Sequence, residues 1–332
     1  MERSKATSRS YSITQSNRKL RITMEKELIV AKDGSGDYVD IQSAIDAVPA
    51  GNAVPITIRI REGIYKQVIT IREDQSYIKL VGEGIDKTII TYDNYAGLVN
   101  EEGEKLGTFK SPTVFVNGSH VTAVGITFEN SFFQPGFDKM GRQAVAVSTS
   151  GEYNTFIDCS FRGYQDTLYA MDGSCYFLHC YLEGDVDFIF GAARAVFEEC
   201  QIHSLNRGSM TENGYVSAAS TRARDDFGFL FINCRLTAEE GTAKNSVYLG
   251  RPWHPSMRTE PVCSATVFMN CELGAHIRKD GWTKMHEAYP ETERFYEYGN
   301  TGLGVCVNAQ RRQLTDEEAK VYTKTKVLGW WQ

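Results

Sequence analysis

The chain has 332 residues, with 36 Lys and Arg against 42 Asp and Glu and a formal charge of −6 at neutral pH. This mild acidity argues against nucleic acid as a partner and against a polyanion as the preferred substrate. No apolar run reaches the length of about 18 residues that a membrane helix needs, so no membrane partner is expected.

In chain order, residues 1–26 carry Arg3, Lys5, Arg9, Arg18, Lys19 and Arg21 without an apolar stretch. They read as a disordered basic tail and not as a secretory signal, which places the chain as written in the cytoplasm; secretion is the alternative if the chain is an altered or mature form. Residues 27–332 are expected to form one domain. Residues 27–31 predict a strand and DGSGD a turn, with Asp33 and Asp37 as turn caps. Asp40 is placed to cap a helix whose one face carries Ile41, Ala44, Ile45 and Val48, with Pro49 stopping it. Two alternating strands surround Gly63 in residues 56–71, and residues 93–112, rich in Gly, Asn and Glu, predict a loop. Near the far end, Thr315 and Glu318 form a capping-box pattern for a helix that packs back along the molecule.

Between these ends one pattern recurs five times: an aromatic residue, two variable residues, Cys, one variable residue and an apolar residue, at 156–161, 177–182, 197–202, 231–236 and 268–273. Cys159, Cys180 and Cys200 are 21 and 20 residues apart. A period near 20 residues with short β-rich pieces is the mark of a solenoid. The fold class expected is therefore all-β: a single-stranded right-handed parallel β-helix, coils about 4.8 Å apart, with capping helices at both ends. The later intervals, from Cys200 to Cys234 and on to Cys271, are 34 and 37 residues, which reads as coils lengthened by loops that overhang one face and build a cleft. Period-two alternation through residues 177–182 puts Leu178, Cys180 and Leu182 inward and Phe177 outward or in a turn. The five ladder cysteines should be buried, reduced and inert, and eight free thiols favour a reducing compartment.

Asp166 lies seven residues after Cys159, Asp187 seven after Cys180, and Arg207 seven after Cys200. On adjacent coils the two carboxylates would sit roughly 5 Å apart. At that distance they resist ionising together, which separates an acid from a nucleophile. Arg207, next in the column, would favour the ionised form of Asp187. Asp187 then suits the nucleophile and Asp166 the proton donor, both pointing into solvent from the outer face. Gln165 precedes Asp166, and Gln143 lies one coil earlier; two carboxamides aimed at one spot can donate to a developing oxyanion. In LGRPW, Arg251 can bind a carboxylate bidentately and Trp253 can lie against a sugar ring. Each also has a plain structural alternative: a stacked polar ladder for the glutamines, a surface salt bridge for Arg251, core packing for Trp253. The six histidines show no metal-ligand spacing, and no GxSxG elbow is present.

Taken together, GYQDTLYA, DFIFG and LGRPW, with REGIYKQ, GITFEN, QAVAV, GWTKM and the terminal VLGWW, closely resemble the pectin methylesterases, or pectinesterases, over nearly all of residues 28–331. The C-terminal third resembles bacterial members. The resemblance implies a carboxylic ester hydrolase, an aspartyl esterase of pectin catabolism and cell wall modification. It would remove methyl esters from galacturonate units to give pectate and methanol, with no metal and no cofactor. Its partner would be methyl-esterified homogalacturonan or its oligomers, and a monomer is expected. Asp187 matches the family nucleophile, Asp166 the general acid/base, Gln143 and Gln165 the oxyanion donors and Arg251 the residue that orients the nucleophile. Trp253, Tyr169, Val186, Phe190, Thr108, Arg207 and Met285 match substrate-binding positions. Leu182 departs from the usual Ile or Val. The competing readings are a pectin depolymerase on the same scaffold, which as an inverting glycosidase would want carboxyls about 6.5–9.5 Å apart, and a β-helical carbohydrate-binding module, which would not need the aspartate pair.

Overall fold

The computed structural model describes residues 26–133 and 141–330; apart from Lys26, the basic tail expected at 1–26 lies outside the described residues. The chain winds as a parallel β-helix. Each complete coil supplies three short strands, and strands pair in parallel with their counterparts one coil away, giving sheets of ten, eight and seven strands among the described residues. One coil runs through Ser174–Leu178 in the ten-stranded sheet, Tyr181–Gly184 in the eight-stranded sheet and Val186–Gly191 in the seven-stranded sheet. The next starts at Arg194–Glu198.

The five-fold repeat is the inner wall of this stack. Phe156, Phe177, Phe197, Phe231 and Phe268 lie face on face through the core, with successive ring centroids 4.9, 4.6, 4.5 and 4.3 Å apart. Such pairs contribute about 0.5–1.5 kcal/mol each beyond the area they bury. The five ladder cysteines are buried and unbridged, and each thiol donates to backbone carbonyls, as Cys180 does to Phe156 at 3.4 Å. Phe177 is thus inside the core, and Leu178 faces the opposite side against the C-terminal segment. This corrects the simple alternation expected for residues 177–182. The residue before each ladder cysteine, Asp158, His179, Glu199, Asn233 or Asn270, has φ between 51° and 55°, in the left-handed region. That single residue turns the chain from one sheet to the next and resets the phase, so both Phe177 and Cys180 point inward.

Helix α1 (Ile41–Asp46) starts as expected: the Asp40 carboxylate accepts from the Ser43 N–H at 2.8 Å. Its face of Ile41, Ala44 and Ile45 is buried against the first strands and closes that end. The Asp33 and Asp37 carboxylates cap local turns by accepting from the N–H groups of Ser35 and Ile29. At the other end the capping box of Thr315 and Glu318 opens α2 (Asp316–Ala319), followed by α3 (Lys324–Leu328). Both lie along the flank of the solenoid, with α3 on the outer face of strands Ser174–Leu178 and Arg194–Glu198. The last coil is covered instead by Trp282 stacked on Phe295 at 4.5 Å and by a buried Arg311–Glu297 pair.

The left-handed residues make the corners sensitive to side-chain shape. Asn233 is exposed at such a corner with φ 55°. Asn233→Val should lower stability by about 1–2 kcal/mol, because a β-branched residue strains in this region, whereas Asn233→Gly should cost little. Urea unfolding of the two variants checks this.

Candidate active site

The seven-stranded sheet carries the site. Strands Leu168–Ala170 and Val186–Gly191 pair with Tyr169 beside Phe190. Asp166 comes just before the first strand, and its N–H donates to the Val186 carbonyl at 3.0 Å, which brings it alongside Asp187. Both aspartates have positive φ, 69° and 48°. At Asp187 the ladder to Gly214–Ala219 slips: Val186 faces Tyr215 and Ile189 faces Ser217, three residues advancing against two. This bulge presents Asp187 to the cleft while Phe188 enters the core. Two left-handed aspartates, one of them on a bulge, hold backbone strain of the kind that collects at functional sites.

Arg251, after the strand Val247–Gly250, grips Asp187 with both arms of its guanidinium: Nε to Oδ1 at 2.9 Å and Nη2 to Oδ2 at 2.7 Å. The guanidinium lies 3.8 Å above the Tyr215 ring, which in turn stacks on Tyr248. Asp166 forms no ion pair among the described residues. Burial first, and the neighbouring Asp187 charge second, push its carboxyl well above the usual carboxylate range, against the opposing pull of Arg251. The pair is therefore asymmetric: one carboxylate compensated, one that favours its proton.

The two aspartates, Gln143, Gln165 and Arg251 line a cleft of about 420 Å³ together with Phe109, Phe190, Trp253, Thr108, Lys284, Met285, His286 and Ala218. Neither glutamine carboxamide has a hydrogen-bond partner among the described residues, so both are available to a ligand. Trp253 meets Phe190 edge-on at 5.5 Å, and Phe190 stacks on Tyr169 at 4.5 Å.

Of the residues predicted from sequence, Gln143, Gln165, Asp166, Asp187, Arg251, Trp253, Phe190, Thr108 and Met285 converge on the cleft. Three do not. Tyr169 stands behind Phe190 and Val186 is buried beneath the surface. Arg207 turns to Asp185, its Nε 3.9 Å from Oδ2, because the coil after Cys200 is expanded by the loop between Gln201–Ser204 and Gly214–Ala219. The cation on Asp187 is thus Arg251 and not the next member of the column. The aspartates are also less exposed than expected, at 8 % and 7 %, since flanking loops enclose them. Sequence reasoning missed Phe109, Lys284 and His286. The first stands in a polar loop as an apolar residue that stays half exposed, a detectable signal; the other two flank Met285 on a loop whose position depends on the fold. Among the described residues no cluster of three or more His, Cys, Asp or Glu is disposed to hold a metal ion, and no helix is long and apolar enough to cross a membrane.

A profile of the pectinesterase family matches residues 27–329. The chain belongs to the pectinesterase family. Pectinesterase 31 of Arabidopsis thaliana is 36% identical over 300 residues, covering 87% of this chain and 88% of its own length. Pectinesterase A of Dickeya dadantii (strain 3937) is 34% identical over 336 residues, covering 91% and 90%. A crystal structure of a pectin methylesterase in complex with a hexasaccharide matches with a TM-score of 0.86 at 33% identity, over 93% of this chain and 98% of that one. Pectinesterases are carboxylic ester hydrolases, and both the family and the parallel β-helix expected from the sequence are borne out.

Two outcomes follow from this geometry. Asp166 has a native pKa above its unfolded value, so the folded chain holds a proton that the unfolded chain releases. The stability this group contributes is complete below the ordinary carboxylate pKa of about 3.9 and falls as pH rises through the native value. Asp166→Asn, always neutral, should raise the melting temperature at pH 7 by about 2 °C or more, with the gain shrinking as pH is lowered toward 4; calorimetry across that range reads it. Tyr215→Ala should remove the ring beneath Arg251 and lower kcat roughly tenfold by loosening the Asp187 contact, while Tyr215→Phe should act as wild type in the same steady-state assay.

Proposed function

We propose that this pectinesterase removes methyl esters from the galacturonate units of pectin through an acyl-enzyme on Asp187. The observation that carries the mechanism is the asymmetric pair: Asp187 held by a bidentate arginine beside Asp166, buried and without a cation of its own. Relatives bear the name pectinesterase, and a related pectin methylesterase has been crystallised with a hexasaccharide, which supports a pectin chain or its oligomers as substrate. Trp253, Phe109 and Phe190 offer apolar faces to sugar rings.

In the first step an Asp187 oxygen attacks the C6 ester carbonyl. The N–H groups of Gln143 and Gln165 donate to the tetrahedral oxyanion. Collapse breaks the bond to the methoxy oxygen, which takes the Asp166 proton and leaves as methanol. A mixed anhydride on Asp187 remains. Asp166, now a carboxylate, accepts a proton from water as that water attacks the galacturonyl carbonyl. The second tetrahedral intermediate expels the Asp187 carboxylate and frees the acid. Arg251 fixes the attack angle and stabilises Asp187 whenever it is ionised.

Asp187→Ala should abolish methanol release from methylated pectin, and Asp166→Asn should slow it by about 10²–10⁴-fold, the usual loss for a general acid. Arg251→Lys keeps the charge but loses the planar fork, so kcat should fall strongly with KM little changed. Methanol and reducing ends measured together decide the reaction class: new reducing ends without methanol would identify a depolymerase and refute the esterase mechanism.

A further inference from the structure

One residue before Gln143, and two before Asp187, lie groups that the mechanism above does not use. Arg142 Nη2 donates to Asp185 Oδ2 at 2.8 Å, and the two side chains are only 8% and 2% exposed. The bond joins positions 43 residues apart, so it runs from the coil of Gln143 to the coil of Asp187, over the intervening coil of Gln165 and Asp166. Those three coils are registered here by backbone bonds: Ala144 N–H to the Gln165 carbonyl, Asp166 N–H to the Val186 carbonyl and Asp185 N–H to the Tyr164 carbonyl, each at 3.0 Å. Arg207 approaches the same Asp185 oxygen from the following coil, its Nε at 3.9 Å. A buried ion pair gives little net stability compared with apolar residues of the same volume. Stability is therefore a poor reason for placing one beneath this site.

We propose that Arg142 and Asp185 are positioning residues of the esterase reaction: their ion pair fixes the Gln143 coil against the Asp187 coil and keeps a third carboxylate beside Asp166 compensated. This rests on the roles given above to Gln143, Asp166 and Asp187. The groups that face Asp166 are Asp187, Arg251 and Asp185, with Tyr169 behind the cleft wall and Lys284 and His286 on the cleft lining. Asp185 adds to the upward push on the Asp166 carboxyl. Burial drives the Asp185 carboxyl upward too, and Arg142 and Arg207 oppose that. Removing the Asp185 charge should lower the Asp166 pKa, because Asp185 raises it.

The test compares pH profiles of kcat/KM for methanol release from methylated pectin in the wild type, Asp185→Asn, Arg142→Met, Arg142→Lys and the double variant Arg142→Met/Asp185→Asn, with thermal unfolding to check each fold. The basic limb should move to lower pH in Asp185→Asn and in the double variant alike, since Asp185 acts on Asp166 and Arg142 is not among the groups that shift it. Both single variants should lose roughly ten- to a hundredfold in kcat with KM within about twofold, the cost of misplaced reacting groups. Arg142→Lys should recover part of the loss seen in Arg142→Met. The double variant removes both members of the pair and leaves only Arg207 facing the emptied position, so it remains decisive should a single variant fail to fold: wild-type kcat in the double variant overturns the proposal. So does an unmoved limb in a folded Asp185→Asn, or a loss confined to KM. Asp187→Ala, assayed alongside, separates the two levels. Activity there sinks the catalytic assignment itself, whereas an inactive Asp187→Ala with an unmoved Asp185→Asn limb sinks the ion-pair role alone.

Discussion

Side chains stacked on adjacent coils of a parallel β-helix meet at close to the strand spacing of about 4.8 Å, whatever their chemistry. For the phenylalanines of the inner wall this distance is favourable, and successive rings lie 4.3 to 4.9 Å apart. For two carboxylates it is unfavourable unless one is neutral or a cation intervenes. The same repeat distance that builds the core thus creates the chemical asymmetry of the cleft. Arg251 compensates Asp187 directly, and Asp166, pushed upward by burial first and by the Asp187 charge second, favours its proton.

What was legible in the sequence was whatever the coil period carries. The Phe–Cys ladder predicts the stack, and the seven-residue offset from Cys159 and Cys180 puts Asp166 and Asp187 next to each other. The motifs around them identified the family. Failures came where the period breaks. A left-handed residue such as His179 has no signature in an alternation pattern, so alternation alone puts Phe177 on the wrong side. The offset failed at Arg207 because the insertion after Ser204 replaces the third member of the column with a loop. The enclosure of the aspartates depends on loops remote in sequence, among them the segment of Phe109 and that of Lys284 to His286. Their meeting is a property of the assembled coils. The Arg142–Asp185 bond was invisible for the same reason: its partners are two coils apart, and neither has an informative neighbour pattern.

The Asp187 contact also illustrates how a regular scaffold makes an irregular site. A strand in perfect register would give Asp187 and Phe188 alternate faces but no freedom in where the carboxylate points. The bulge against Tyr215 and Ser217 adds one residue and re-aims the side chain without disturbing Ile189 and Phe190 beyond it. Tyr215 then serves twice, as the strand partner beside the bulge and as the platform under Arg251. Backbone distortion and arginine placement are therefore fixed by one neighbouring strand, and the side-chain grip on Asp187 comes from a later coil.

The path of the chain after its last strand has a consequence for how the molecule opens. A stack in which coils touch only their neighbours behaves as a one-dimensional array that can fray from either end. Here the terminal segment returns to the middle: Lys324 meets Glu198 at 2.8 Å, and Arg194 donates to the Leu328 carbonyl at 3.2 Å. Peeling away the final coil by more than its own length strains this clasp on strands three and four coils back. Loss of the last coils and loosening of the central ones are thereby coupled into one cooperative unit, and the coils that hold the aspartates lie inside it. Their opening is tied to larger-scale unfolding more than to local fluctuation, which is the condition under which two strained, positive-φ aspartates stay in place between turnovers.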